Sequence, residues 1–255
     1  MSDLNSLEIA ALSGMDTEVF TDIDSTNSEA RRQIVKGLRH DKLIVSDSQS
    51  GGRGRRGRSF HSPSGKGIYM TLVLFPEELR VNDSLMVTSL TAVAVSRALE
   101  KHTEEKTGIK WVNDLYLRGR KIAGILVEAI SDFSGGTVES LIIGIGANVR
   151  PQVFPEDLPE AGYIDLSHIS RNTVISDIAI EVTDLLNGTD EAKRTAMDEY
   201  RKRSILTGKK ISFEENGIKR YGTVICITDE GHLLVDADGK KLELSSGEIS
   251  VRGLF

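Results

Sequence analysis

The sequence holds a single cysteine, Cys226, in 255 residues. An intrachain disulfide and a Cys-x-x-Cys metal site are both excluded, and a reducing cytoplasm is the expected location. No apolar run approaches the roughly 20 residues that a membrane-spanning helix needs. The opening MSDLNSLEIAALSG lacks the positive region and long apolar stretch of a secretion signal. Neither an internal repeat nor a low-complexity segment occurs. Positive charge is in deficit overall: 32 Lys and Arg against 38 Asp and Glu leave a net charge of −6, which argues against general nucleic-acid affinity. With 39% hydrophobic and 27% charged residues, the composition suits a folded chain long enough for one substantial domain and a small one.

The positive charge gathers in one place. From Ser46 to Met70 five cations face one anion, a local +4 that leaves −10 on the remainder. Gln49 to Arg58 reads QSGGRGRRGR, four arginines and four glycines in ten residues. Arginines so close repel one another, so the segment either splays into water or holds an anion. A solvated basic loop is the plain reading. A nucleic-acid clamp is a second, weakened by the acidic remainder and the lack of nearby stacking aromatics. Gly52 to Gly57 formally satisfies G-x-G-x-x-G, but a dinucleotide site needs a helix to start at the glycines. Here SFHSPSGKGIYM follows, and its Pro63, glycines and serines forbid one. A phosphate loop ending in Gly-Lys-Ser/Thr is also absent.

Two apolar strands flank the loop: DKLIVSDSQ before it and GIYMTLVLF after it, the latter stopped by Pro76. Anchored at both ends, arginine forks can surround a phosphate or carboxylate bidentately, while glycines let backbone N–H groups approach the same anion. Such a loop is expected to be mobile when empty and ordered by its ligand. Ahead of it, VFTDIDST reads as a strand and turn, and SEARRQIVKGL as a helix with Thr26 and Glu29 spaced as a capping box. LMVTSLTAVAVSRALEKH is apolar nearly all round and predicts a buried helix. KIAGILVEAI and SLIIGIGANV predict buried strands, the second following a Ser-Gly-Gly turn, and Ser176 to Arg203 is helical in pattern.

Beyond Ile205 the pattern changes to short strands (KKISFEE, IKRYGTVICIT, HLLVDA, KKLELS, EISVR) joined by ENG, DEG and ADG turns, which suggests a small barrel or sandwich. The expected division is residues 1–204 and 205–255. Lys110 to Glu128, KWVNDLYLRGRKIAGILVE, carries the only tryptophan, an Asn113–Asp114 turn and Lys121 at the mouth of an apolar strand. Taken singly, these read as a turn and a snorkelling lysine. Gly124, Gly144 and Gly146 interrupt strand patterns, where a missing side chain marks close approach of a ligand or another chain segment. Three on two strands hint at a shared cavity.

In this order, DSTN, QSGGRGRRGR with SFHSPSGKGIYMTL, KWVNDLYLRGRKIAGILVE, GIGANV and the terminal GEISVR resemble biotin protein ligase, from Asp24 to Arg252. Val112 stands where the family usually has proline, which would free that turn slightly. Phe60 replaces a common tryptophan and keeps an aromatic wall. The resemblance implies an α+β fold: a mixed sheet flanked by helices, of the class II synthetase-like biotin/lipoate ligase type, with a small C-terminal SH3-like β-barrel. It implies ATP-dependent conversion of biotin to biotinyl-5′-AMP, then transfer to a lysine of a biotin carboxyl carrier protein domain of a biotin-dependent carboxylase. Ser25, Thr26, Asn27, Gln49, Arg53, Gly54, Arg55 and Lys121 would bind biotin, with Lys121 and Arg55 catalytic. Arg53, Arg55, Arg58, Asn113 and Asn148 would bind ATP, Asn148 at the adenine, and Asp114 would help hold Mg2+.

About twenty residues precede the DST motif, and a helix-turn-helix module needs roughly three times that. The expectation is therefore a monofunctional ligase with no specific DNA binding and no membrane association. The resemblance leaves dimerisation through a sheet edge open. The rival readings are a lipoate protein ligase of the same fold and, from another class, a nucleic-acid-binding protein using the basic loop.

Overall fold

A computed structural model describes residues 2–77, 79–80, 83–131, 136–215, 218–245 and 249–251. Helix α1 (Ser6–Ser13) opens the chain. Its N-cap Asn5 accepts from the amides of Leu7 and Glu8, and Gly14 closes it in the left-handed conformation, φ 73°. Then follow β1 (Asp16–Ile23), α2 (Thr26–Val35), β2 (Lys42–Gln49) and β3 (Gly67–Leu74). After these come the long helix α3 (Ser84–Glu100), β4 (Gly108–Lys110), β5 (Asp114–Leu117), β6 (Arg120–Ser131) and β7 (Val138–Asn148). The seven strands form one sheet in the order β1-β2-β3-β7-β6-β5-β4, with β1 parallel to β2 and every other pair antiparallel.

The sheet's two faces have different contents because side chains alternate along each strand. On one face Leu43 and Val45 of β2, Met70 and Leu72 of β3 and Ile143 and Ile145 of β7 join the main core with α3 and α4 (Arg171–Leu186). On the other face a smaller cluster of Ile44, Val73 and Ile142 packs under Ala30 and Ile34 of α2. That cluster covers only part of its face. Further along the same face of β7 the alternation brings Gly144 and Gly146, and the sheet floor stays open there.

Helix α5 (Asp190–Arg203) leads into β8 (Lys210–Glu215), β9 (Ile218–Ile227), β10 (Leu233–Ala237), β11 (Lys240–Leu244) and β12 (Ile249–Val251). These make a five-stranded antiparallel sheet in the order β11-β10-β9-β8-β12, the small SH3-like module. The Asp238–Gly239 turn has positive φ at both residues, 55° and 78°, as a tight hairpin requires. The module packs on the larger sheet: the Trp111 indole donates to Gly231 O at 2.8 Å, and Ile205 N donates to Ile109 O at 3.0 Å. No helix among the described residues is long and apolar enough to cross a membrane.

Two expectations change. The helix at Ser25 has no Thr26–Glu29 capping box: Ser25 is the N-cap residue without a side-chain cap bond, and Thr26 is already inside the first turn. Its hydroxyl faces Gln49 and Thr71 instead. The helical stretch near Ser176 starts earlier, at Arg171, and divides into α4 and α5 at Asn187–Thr189. Ser134 and Gly135 of the Ser-Gly-Gly turn, Asn216 and Gly217 of the ENG turn, and Gly247, Glu248 and Arg252 of the terminal GEISVR lie outside the described residues.

Candidate active site

A cavity of about 470 Å³ sits over the glycine floor. A Cβ on Gly144 would lie 2.2 Å from Asn27 Oδ1, and one on Gly146 would lie 2.6 Å from the Phe60 ring. These two glycines are therefore what admits Asn27 and Phe60 as walls, and Gly124 lines the same space. The three glycines, on two strands, do share one cavity.

One end of it is polar and buried. Ser25, Thr26 and Asn27 are 2%, 3% and 4% exposed. Gln49, at the end of β2, accepts from Thr26 N at 2.9 Å through its carbonyl and donates to Ser62 Oγ at 2.9 Å through its amide. Two residues earlier on the strand, Asp47 accepts from Ser64 Oγ at 2.5 Å and Gly65 N at 3.1 Å, and pairs with the buried Arg171 at 2.6 Å. The return limb of the arginine loop is thus fastened at two points of β2.

The mouth is cationic. The loop turns through a single 3₁₀ turn, Arg55–Gly57, with Arg56 and Gly57 at positive φ, and Gly54 N donates to Arg58 O at 2.7 Å. Arg53, Gly54, Arg55 and Arg58 all line the cavity. Arg53 lies 3.4 Å from Glu128, and Arg55 donates to Asn113 Oδ1 at 3.3 Å. Asn113 is held in turn by its amide donating to Ile125 O at 2.8 Å. The Trp111–Val112 peptide is cis. From the opposite wall Lys121 Nζ points in and meets Asp114 Oδ1 at 2.7 Å.

Of the binding and catalytic residues that the resemblance implies, Asn148 alone does not line this cavity. It sits buried at the end of β7, where its amide donates to Gly162 O at 2.9 Å and its carbonyl oxygen finds no partner among the described residues. Among the described residues no three His, Cys, Asp or Glu side chains gather into a metal-holding group.

Three elements were not foreseen. Glu128 accepts from Arg31 and Asn27; burial pushes its carboxyl up, but these bonds and the Arg31 and Arg53 charges hold it below the usual carboxylate value. A lone acid in the apolar run KIAGILVEAI was the available signal. Thr71 is wholly buried beneath Thr26 and Asn27, marked only as a hydroxyl inside GIYMTLVLF. Residues 157–161 wall the cavity beside Lys121, whose N donates to Glu160 O at 2.7 Å. Tyr116 donates to the Glu160 carboxylate at 2.9 Å. In sequence that stretch reads as an ordinary loop.

The Biotin/lipoate A/B protein ligase family matches residues 19–148, and the Biotin protein ligase C terminal domain matches residues 207–252. The Bacillus subtilis bifunctional ligase/repressor BirA is 37% identical over 140 residues; the match takes in 54% of this chain and 42% of that protein, so less than half of the relative is spanned. The Escherichia coli bifunctional ligase/repressor BirA is 28% identical over 98% of this chain and 78% of that protein. Mycobacterium tuberculosis biotin--[acetyl-CoA-carboxylase] ligase is 26% identical over 91% and 87%. Among solved structures, Aquifex aeolicus biotin protein ligase in complex with biotin and ATP superposes with a TM-score of 0.73 at 25% identity, covering 93% of this chain and 98% of that one. With the cavity built on strands inside the matched segment, which is just over half of the sequence, the chain belongs to the Biotin/lipoate A/B protein ligase family.

Proposed function

We propose that this protein activates biotin with ATP to biotinyl-5′-AMP and passes the biotinyl group to a lysine of a biotin carboxyl carrier protein domain of a biotin-dependent carboxylase. The observation that carries this is one cavity with a neutral, hydrogen-bonding end and a mouth ringed by Arg53, Arg55, Arg58 and Lys121. A ring-bearing carboxylic acid fits with its ring at the polar end and its carboxylate among the cations. The Aquifex aeolicus relative, whose structure holds biotin and ATP, supports the same ligand pair here.

The chemistry needs that charge. An oxygen of the acid's carboxylate attacks the α-phosphorus of ATP, and the bond from that phosphorus to pyrophosphate breaks. An anion thus approaches a polyanion. Two unit charges ~4 Å apart repel by about 1 kcal/mol in water and about 4 kcal/mol at an effective dielectric near 20. Excluding water makes the approach harder unless cations are already fixed there. Lys121 would reach the carboxylate and the α-phosphate, Arg55 would close over the adenylate, and Arg53 and Arg58 would meet the phosphates. Asn113 would face the nucleotide.

Asn148, with an unused carbonyl oxygen, would take the adenine amino group after a local shift of the Gly162 segment. Asp114 fits a magnesium ion carried in on the nucleotide, since such an ion is held by one or two carboxylates with phosphate oxygens completing its shell. The ion would mask the charge of the departing pyrophosphate. In the second half the acceptor's lysine amine attacks the carbonyl carbon of the mixed anhydride, and AMP leaves. Residues 1–204 would carry both sites, and 205–255 would support ATP or acceptor binding. A cytoplasmic setting suits both substrates.

Biotin-dependent exchange of labelled pyrophosphate into ATP tests this. The expected result is exchange with biotin and none with lipoate; the reverse selectivity would give the chain to the lipoate branch of the family.

A further inference from the structure

The buried end of the cavity contains a hydrogen-bond relay whose proton sense can be read from its last member. Glu128 carries an ionised carboxylate and can only accept, so the Asn27 amide nitrogen, 2.9 Å away, donates to it. The Asn27 carbonyl oxygen then points back and accepts from the Thr71 hydroxyl at 2.7 Å. Thr71 has one hydrogen and has now used it. Thr26 Oγ1 lies 2.8 Å from Thr71 Oγ1 and 3.1 Å from Gln49 Oε1. Gln49 Oε1 is fixed as an acceptor, because the Gln49 amide donates to Ser62 Oγ, which itself donates to Phe60 O. Both neighbours available to the Thr26 hydrogen are therefore acceptors inside the protein. What remains for a ligand at this end is a lone pair.

We infer that Thr71 and Glu128 are positioning residues that make Thr26 an obligate acceptor, so that the cavity selects a ring bearing N–H groups, such as a cyclic urea, over a dithiolane. The assignment rests on the activity proposed above and deepens it. The inner relay members are buried, with Thr71 at 0% and Thr26 and Asn27 at 3% and 4% exposed, so water cannot substitute for a partner lost among them without entering the wall. Glu128 also draws Arg53 toward the same end, 3.4 Å away, which ties the relay to the cationic mouth. A site with fixed hydrogen-bonding polarity rejects a ligand lacking the matching group more strongly than an apolar pocket rejects a change of size.

The experiment compares Thr71→Val, Thr71→Ser and Glu128→Gln with wild type in biotin-dependent pyrophosphate exchange, with lipoate as the second substrate probe. Thr71→Val keeps the shape and removes the donor. It is expected to raise the KM for biotin about tenfold while kcat stays within about threefold, since the wall binds ground and transition states alike. Thr71→Ser restores KM to within about twofold of wild type, which a merely space-filling role would not do. Glu128→Gln removes the group that can only accept, so that Asn27 is no longer held in one orientation; KM is expected to rise with Thr71 intact, and the test stands even where the valine variant fails to fold. An active wild type whose KM is unmoved by Thr71→Val or Glu128→Gln overturns the relay alone. A wild type with no biotin-dependent exchange overturns both this assignment and the activity beneath it.

Discussion

The two ends of the cavity use polar groups in opposite ways. At the buried end Ser25, Thr26, Asn27, Gln49 and Thr71 are neutral, and their bonds run to fixed protein partners. At the mouth the groups are ions that are about a third or more exposed: the Arg53 side chain is 44% and Lys121 33% accessible, and their contacts, Glu128 and Asp114, are themselves ions. Neutral bonds in a dry wall are costly to break and indifferent to salt, so they suit recognition of a ring. Exposed ion pairs are worth little in themselves and exchange partners easily, so they suit a polyanion that must enter, react and leave. The comparison predicts that lesions at the wall act on stability and KM, whereas lesions at the mouth act on turnover and salt dependence.

The largest expected effect lies behind the wall. Arg171 is 2% exposed, paired with Asp47 at 2.6 Å and Asp3, and it donates to Gly67 O at 3.0 Å. Arg171→Met leaves Asp47 buried without its cation, a loss of about 3–5 kcal/mol. Urea unfolding of the variant, with the slope held in common, measures it. A loss below about 1 kcal/mol would mean that water replaces the guanidinium and that the wall is less dry than drawn.

At the mouth Lys121→Ala is expected to cost about 3–4 kcal/mol of transition-state stabilisation, a fall of order 10²- to 10³-fold in pyrophosphate exchange, by analogy with loss of one preorganised donor. The unfolding midpoint should hardly move, because the Lys121–Asp114 pair is partly open to solvent. Exchange at wild-type rate would remove Lys121 from the chemistry; a large loss of stability would make it part of the wall.

Acid reaches a third place, away from both ends of the cavity. Burial alone would push the Glu100 carboxyl up, but hydrogen bonds from Arg203 and Thr107 bring it down to about 2, against 4.5 for the free group. A depressed carboxyl contributes stability that is present above the unfolded value and is lost as pH falls toward the folded one. The window is therefore about pH 4.5 to 2, and roughly 3 kcal/mol is at stake. Arg203 ends α5 just ahead of the small module, so loss of this pair should loosen that corner. Glu100→Gln would flatten the pH dependence of unfolding across this window. An unchanged profile would place the acid-labile group elsewhere, and kinetic comparison of the two ends is cleanest above pH 4.5.

The sequence spoke unevenly for these regions. The mouth was legible because charge in excess of its surroundings is a compositional signal: QSGGRGRRGR and Lys121 stand out with no structure in hand, and the strands flanking the loop were plain from their apolar runs. The cavity floor was half legible, since Gly144 and Gly146 break a strand pattern but do not say which side chains lie across them. The wall was nearly silent. Thr26 with Glu29 has the spacing of a capping box, yet the helix starts at Ser25 and the Thr26 hydroxyl turns to Gln49 and Thr71, partners 23 and 45 residues away. Contacts at such separations leave no local periodicity. Glu160 was missed for the same reason: its place beside Lys121 is set by a chain path that returns from Pro155 onto β6, and nothing in PEDLPEAG announces it.

Arg55 joins the two ends and gives the finest test of their difference. It belongs to the mouth by charge, yet it donates to Asn113, and Asn113 is itself held by Ile125 O. If Arg55 closes over the adenylate, Arg55→Ala removes one charge-assisted hydrogen bond to the intermediate, about 1.5–3 kcal/mol. Release of the adenylate should then quicken roughly ten- to a hundredfold. Formation should slow less, because Lys121, Arg53 and Arg58 would still face the phosphates. The measurable sign is modification of lysines on bystander proteins by escaped adenylate, alongside exchange kinetics that stay within reach of wild type. Raising salt should weaken the wild type's retention toward that of the variant, since Arg55 acts by charge at a wet mouth. Retention that equals wild type in Arg55→Ala would assign closure to residues 157–161 on the opposite wall, and the arginine would then serve only to orient Asn113.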